Sequence, residues 1–264
     1  MSEMGSWKTP RPIRAVFFDV DGTLLSFTTH TVPPSAIRAI EAFRSAGVRC
    51  FLCTGRAPSL LGEVPLELFD ACLTMSGQYC YAGDEVFLSN PLDQQDLRHV
   101  VEQVESGLYE VLFMEAGDSY LSGHSELADR ALEQANMHPR LERAGYALGR
   151  DVYQLNVFLP SDGMDTIRSV VSHMAFTRWS ENFADAMPAG GGKGAGVAAA
   201  LAWAGIEPDE AVAFGDGEND AEMFAAVGTS IAMGGASAAV RELCDYVTDD
   251  VDEDGIWKAY QRLS

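Results

Sequence analysis

The chain's apolar positions fall into two regimes. Ala15 to Phe18, Val48 to Cys53 and Ala211 to Phe214 are short apolar runs without polar alternation. That is the pattern of strands covered on both faces, as in a parallel sheet. Between the first two runs, Pro33 to Ala46 carries Ile37, Ile40, Ala42 and Phe43 on one face and stops at Gly47, which predicts a helix and completes a βαβ unit. Beyond residue 193 the same alternation returns: a helix Gly194 to Ala204, the strand ending at Gly215, a helix over Asp220 to Ala226, a strand Thr229 to Met233, a helix Ala236 to Leu243, a strand Tyr246 to Thr248 and a helix Gly255 to Arg262.

From about Tyr79 the pattern changes. Tyr79 to Ala82 and Glu85 to Leu88 read as a hairpin around Gly83-Asp84, and Gln94 to Val104 as an amphipathic helix. Short strands follow at Glu110 to Met114, Ser119 to Ser122, Val152 to Leu159, Ala175 to Trp179 and Asn182 to Ala186, with helices near Ser125 to Asn136 and Gly163 to His173. The expected fold is therefore α/β, a doubly wound parallel-sheet core built from residues 1–78 and 187–264 with an α+β domain, residues 79–186, inserted into it. Residues 1–14, with Pro10 and Pro12, read as a loose leader.

The breaks after the strands carry the chemistry. Asp19-Val20-Asp21-Gly22-Thr23, Thr54-Gly55-Arg56 and Gly215-Asp216-Gly217-Glu218-Asn219-Asp220 each follow an apolar run, and Lys193 sits in a glycine-rich stretch at a helix start. Ligands of open α/β sheets bind at the carboxyl ends of strands, so three of these breaks converge on one crevice, which Lys193 would reach from its helix. Asp19 and Asp21, two apart on a strand, start out on one side, where two carboxylates repel unless a proton or cation separates them. Mg²⁺ suits that role, with hard oxygen ligands and positions left for water and phosphate. Taken singly, Asp19 and Asp21 also read as turn residues, Thr54 and Asn219 as helix caps, and Lys193 as a solvated lysine.

Together these segments resemble the four motifs of the haloacid dehalogenase superfamily, and their order, the wide gap before Lys193 and the Gly-Asp-Gly-x-Asn-Asp form are similar to its Cof-type branch of sugar-phosphate and related phosphatases. The chain departs from that branch at Ser76-Gly77-Gln78, where Asn-Gly is usual. The resemblance implies a Mg²⁺-dependent phosphatase in which Asp19 is the nucleophile of an aspartyl-phosphate intermediate and Asp21 the general acid and base, with Thr54 and Lys193 completing the catalytic set. Asp19, Asp216 and the main-chain carbonyl of Asp21 would meet the metal, with Asp220 outside them holding metal-bound water or Lys193. Thr54, the Gly55 and Val20 amides, Asn219 and Lys193 would hold the phosphate, while Arg56 would support the loop rather than the phosphate. The insert would close over the site as a cap, hinged at Ser76-Gly77 and Pro188 to Gly192, with Gln154, Asn156 and Arg178 as polar candidates for substrate contact. A phosphomutase and a non-catalytic phosphosugar-binding protein are the competing readings; release of phosphate without a bisphosphate cofactor separates the first, and loss of the nucleophile would mark the second.

Composition narrows the partners. With 18 Lys and Arg against 39 acids and a net charge of −21, the average surface repels nucleic acid and anionic lipid, so a small phosphate ester is the expected partner and positive charge must be concentrated at the site. No apolar run approaches the ~18 residues of a membrane span and Met1 to Arg14 lacks a signal-peptide core, which points to the cytoplasm. Cys50 and Cys53 form a C-x-x-C, but positions three apart on a strand face opposite ways and no second pair follows. The histidines are scattered at no ligand spacing, Gly190 to Gly194 lacks P-loop spacing, and the acidic run Asp249 to Asp254 does not fit an EF-hand. Oligomeric state is open.

Overall fold

A computed structural model describes residues 6–62, 64–178 and 180–263. Residues 1–5 of the expected leader and Trp179, the end of an expected strand, lie outside that set. The described residues build two sheets. The first takes its strands from both ends: β1 (Ala15–Phe18), β2 (Arg49–Cys53), β3 (Ala71–Thr74), β4 (Tyr79–Ala82) and β5 (Glu85–Ser89) early, and β12 (Ala211–Gly215), β13 (Thr229–Ala232) and β14 (Tyr246–Val247) late. The second is formed by β6 (Glu110–Glu115), β7 (Ser119–Leu121), β8 (Arg140–Leu141), β9 (Val152–Phe158), β10 (Met174–Thr177) and β11 (Ala184–Pro188). The helices are α1 (Pro34–Ser45), α2 (Gln94–Glu105), α3 (Glu126–Gln134), α4 (Asp165–Arg168), α5 (Lys193–Ala204), α6 (Ala221–Ala225), α7 (Ala238–Glu242) and α8 (Gly255–Leu263).

Strand order in the first sheet is β14-β13-β12-β1-β2-β3-β4-β5, parallel from β14 to β3. Side chains alternate across it. Val16 and Phe18 join one core with Ile40 and Phe43 of α1 and Ile256 of α8, whereas Ala15 and Phe17 join another with Val197 of α5, Met223 of α6 and Val240 of α7. Helices therefore cover both faces, which is why these strands show no polar alternation. Phe18 stacks on Phe214 at 5.3 Å and Phe17 on Phe51 at 4.7 Å between ring centroids, locking β1 to both neighbours. Cys50 and Cys53 fall in opposite cores, and burial pushes both thiols up, Cys50 to about 12. From β1 the chain builds outward first through β2 and β3 and later through β12, so β1 is the topological switch point where such sheets open a crevice.

Three expectations need correction. β3 escaped the sequence reading because four residues are too few to show a period. The hairpin β4–β5, assigned by pattern to the insert, pairs with β3 and extends the first sheet, so the chain crosses to the second sheet after Ser89 rather than at Ser76-Gly77. Gly77, at φ +80°, packs against the start of α5, where a Cβ would lie 2.7 Å from the Gly192 carbonyl oxygen and 2.9 Å from Gly196 Cα. The helix expected over 163–173 shortens to α4, because buried Asp96 accepts the amides of Ser172 and His173 (down to 2.6 Å) and draws that backbone out of a helical path.

The second sheet runs β10-β11-β9-β6-β7-β8, antiparallel except for β7 with β8. One face packs on α2 through Leu97, Val100 and Val101. The other, with Leu112, Met114 and Phe158, packs on α3 and meets Ala57 and Met75 of the first layer. That contact places the second sheet over the ends of β2 and β3.

Candidate active site

The turn after β1 is built by one carbonyl. Val20 accepts the amides of Thr23, Leu24 and Leu25 at 3.3, 2.9 and 2.7 Å, and the Asp19 amide donates to Phe214 of β12 at 3.0 Å. Gly22 turns the chain at φ +77°, and a Cβ there would sit 2.2 Å from Asp216 Oδ2. Only glycine permits both the dihedral and the approach. The Thr23 hydroxyl donates to Asp216 Oδ1 at 3.1 Å, tying the break after β1 to the one after β12.

Asp19 and Asp21 do not present a shared side-chain pair. The strand ends at Phe18, so period-two alternation no longer governs the acids, and the Asp21 carboxylate is taken by Arg56 in a fork of 2.9 Å (Nε to Oδ2) and 2.6 Å (Nη2 to Oδ1). Asp21 accordingly stands outside the carboxylate cluster; the role assigned to it at a metal was through its main chain. Arg56 also donates to the carbonyls of Leu60 (3.0 Å) and Ala135 (3.3 Å), the latter at the end of α3. Arg56 thus does more than support its loop, and nothing in its spacing along the chain announces Asp21 as the partner.

Asp19, Asp216 and Asp220 form the cluster, each offering an oxygen within 4.8 Å of the others. Lys193, the first residue of α5 and only 1% exposed, donates to Asp19 Oδ1 at 2.6 Å and Asp220 Oδ1 at 2.5 Å. The other Asp220 oxygen accepts the amides of Asp216 and Gly217 at 3.0 Å, so both its oxygens serve the protein. Burial and the neighbouring carboxylates push Asp19 well above the usual carboxylate range against the pull of Lys193, and Asp216 to about 7, chiefly through burial and then Asp220. Burial disfavours the Lys193 ammonium, but Asp19 and Asp220 overcome that and hold it charged. A largely buried, all-oxygen set with more negative charge than Lys193 neutralises suits a hard divalent cation, and Asp19 with the half-buried Asp216 are the members with an oxygen not already taken by Lys193, Thr23 or a main-chain amide in these contacts.

A cavity lies between this loop cluster and the second sheet. Asp19, Asp21, Gly55, Arg56, Asp216 and Asn219 line it from below. Val20, Thr54, Lys193 and Asp220 stand behind that wall: Thr54 is buried and its Oγ1 accepts the Arg56 amide at 3.1 Å, while Lys193 and Asp220 reach the site through Asp19 and Asp216. From above, the cavity is closed by Gln154 and Asn156 of β9 and Asp185 of β11. Gln154, Asn156 and Phe158 share one face of β9, and Asp185 is the cross-strand partner of Asn156. Arg178 is not among the lining residues; its guanidinium donates to the carbonyls of Leu159, Ser180 and Glu181 and shapes a loop. Asp185 went unnoticed in the sequence, although an acid inside Ala-Asp-Ala on a strand was a visible signal.

Comparison with known proteins agrees with this architecture. A profile of the haloacid dehalogenase-like hydrolases matches residues 16–260. The YkrA protein of Bacillus subtilis (strain 168) is 28% identical over 253 residues, which is 95% of this chain and 97% of YkrA. Among solved structures, the HAD subclass IIB sugar phosphatase BT4131 is similar at a TM-score of 0.86 and 30% identity, covering 94% of this chain and 98% of that one. BT1666 of Bacteroides thetaiotaomicron, from a study of phosphatases of the same superfamily, has a TM-score of 0.86 at 28% identity, covering 100% and 99%.

Proposed function

The chain belongs to the haloacid dehalogenase-like hydrolases, enzymes that act on phosphate monoesters, and from that premise we propose that it is a Mg²⁺-dependent phosphatase of small metabolite phosphates working through a phosphoryl group held on Asp19. The observation that carries the reading is the junction of Asp19 with buried Lys193 and Asp220 at the sheet's switch point, facing the cavity under the second sheet. We assign the first sheet and its helices as the catalytic core, and the second sheet with α2 to α4 as the cap.

Uncatalysed hydrolysis of a phosphate monoester is extremely slow, and a covalent route divides it into two displacements. Asp19 attacks phosphorus; its carboxylate oxygen forms the new bond as the ester oxygen leaves. Asp21, once out of the Arg56 fork and protonated, gives that oxygen a proton. Water then attacks the phosphoryl-Asp19, returning a proton to Asp21 and releasing phosphate and the free Asp19 carboxylate. Lys193 holds Asp19 in place and offsets negative charge, while the Gly55 and Val20 amides, Thr54 and Asn219 are assigned to phosphate oxygens. Asp19, Asp216 and the Asp21 carbonyl would hold Mg²⁺, which when bound supplies positive charge against the phosphate.

The test is phosphate release from phenyl phosphate and a panel of metabolite esters with Mg²⁺. Asp19→Asn keeps the shape and removes the nucleophile, so kcat should fall by at least about 1000-fold with thermal stability retained. Residual turnover within about tenfold of the parent enzyme refutes the assignment.

A further inference from the structure

The compartment above the reacting groups has an uneven chemistry. Gln154, Asn156 and Asp185 are 1%, 6% and 2% exposed. Both amides donate to Asp185 Oδ1, Gln154 from Nε2 at 3.1 Å, and the same Nε2 donates to the Gly55 carbonyl at 3.3 Å. A carboxylate oxygen and a carbonyl can only accept, so the Gln154 amide has one workable orientation. That orientation leaves Gln154 Oε1 buried with no hydrogen-bond partner among the described residues, on a side chain that lines the cavity. Such an atom is expensive to leave unsatisfied, and a ligand donor would complete it.

The rest of this wall is mostly apolar, with Phe27, Met114, Leu132, Phe158 and Phe183, and Gln134 and Ser180 are its further polar members. A polyhydroxylated leaving group would bury most of its hydroxyls against carbon here, with few partners to meet them. Nor do the described lining residues offer a free cation for a second anionic group. Arg56 is the only Lys or Arg among them, and it is committed to Asp21 and two carbonyls, while Asp185 adds negative charge.

We propose that this compartment selects phosphate monoesters whose alcohol is an apolar ring carrying an N–H or O–H donor, read by Gln154 Oε1 beside Asp185, and that it discriminates against polyols and against esters with a second negative charge. The proposal rests on the phosphatase reading and narrows its substrate class. Gln154 and Asp185 act here as specificity residues for the leaving group.

The test uses the whole protein with Mg²⁺ and four primary-alcohol esters: 3-hydroxybenzyl phosphate, benzyl phosphate, 3-carboxybenzyl phosphate and glucose 6-phosphate. The 3-hydroxybenzyl ester should exceed each of the others in kcat/KM by at least about tenfold, the discrimination expected of one completed buried hydrogen bond. Gln154→Leu should collapse the 3-hydroxybenzyl to benzyl ratio towards one, and Asp185→Asn should raise the 3-carboxybenzyl to benzyl ratio. Ratios cancel any general loss of activity in a variant. Binding of 3-hydroxybenzyl alcohol and benzyl alcohol to the unaltered protein, measured by calorimetry, gives a readout independent of turnover and of variant folding, and the first should bind more tightly. Equal rates for the two benzyl esters, or preference for glucose 6-phosphate, overturn the proposal while leaving the phosphatase reading intact. If none of the esters is hydrolysed, the phosphatase reading falls, and equal binding of the two alcohols then overturns this proposal as well.

Discussion

At the scale of single residues, the site depends on small groups that admit close approach. Gly22 carries no charge and no reactive atom, yet Asp216 Oδ2 occupies the place its Cβ would take, and its φ of +77° is one that side chains disfavour. Gly22→Ala should therefore lose stability by the backbone strain, about 1–3 kcal/mol, and also push Asp216 away from Thr23. The expected result is a melting temperature lower by roughly 3–8 °C together with a weaker Mg²⁺ requirement curve, half-activation moving to higher Mg²⁺. Unchanged half-activation would mean that the Asp216 position does not govern the metal. The sequence showed Gly22 as a turn residue; the second reason for glycine there comes from a residue on another strand.

Among elements, α5 shows local preference set against packing. Gly196 lies one turn after Lys193 inside a helix, where alanine is favoured by about 1 kcal/mol. Its Cβ, however, would meet Gly77 Cα at 2.7 Å. Overpacking of that kind costs about 1–3 kcal/mol and would tilt the first turn of α5, moving Lys193 from its 2.6 Å contact with Asp19. Gly196→Ala should thus lower both the melting temperature and kcat, against its propensity. A variant that melts higher with full kcat would show that the first turn of α5 yields without cost. The same contact wedges the stretch Ser76-Gly77-Gln78 against the helix that carries Lys193.

For the molecule as a whole, an acidic chain has gathered several carboxylates around one ammonium. In metal-free protein Asp216 takes up a proton with a pKa near 7, against a usual value of 3.8. Between those values the folded state binds a proton that the unfolded chain does not, so this contribution to stability is complete below about pH 4 and is gone once pH passes about 7. A bound cation replaces that proton. Scanning calorimetry after chelation should show Mg²⁺ raising the melting temperature more at pH 8 than at pH 5.5, and activity should vanish on chelation and return with Mg²⁺. Ca²⁺ should restore activity poorly, because its longer, looser coordination misplaces Asp19 and phosphorus. A Mg²⁺ effect equal at both pH values would separate the metal from Asp216.

What the sequence by itself determined is local in origin. Apolar runs and helical faces marked β1, β2, β12, α1 and α5, because their periods are properties of adjacent residues, and the breaks that follow placed Asp19, Thr54 and Asp216 at strand ends. Only the tertiary structure decided which sheet the β4–β5 hairpin joins, since an edge hairpin has the same pattern in either. It likewise decided that Asp21 faces Arg56, 35 residues away, instead of Asp19's cluster. Gln154 and Asn156 were visible as polar residues on an apolar strand, but the acid that holds them comes from β11 through strand register. Such pairings form through space, where strand order and the packing of one sheet over another choose the partners, and no period along the chain records that choice.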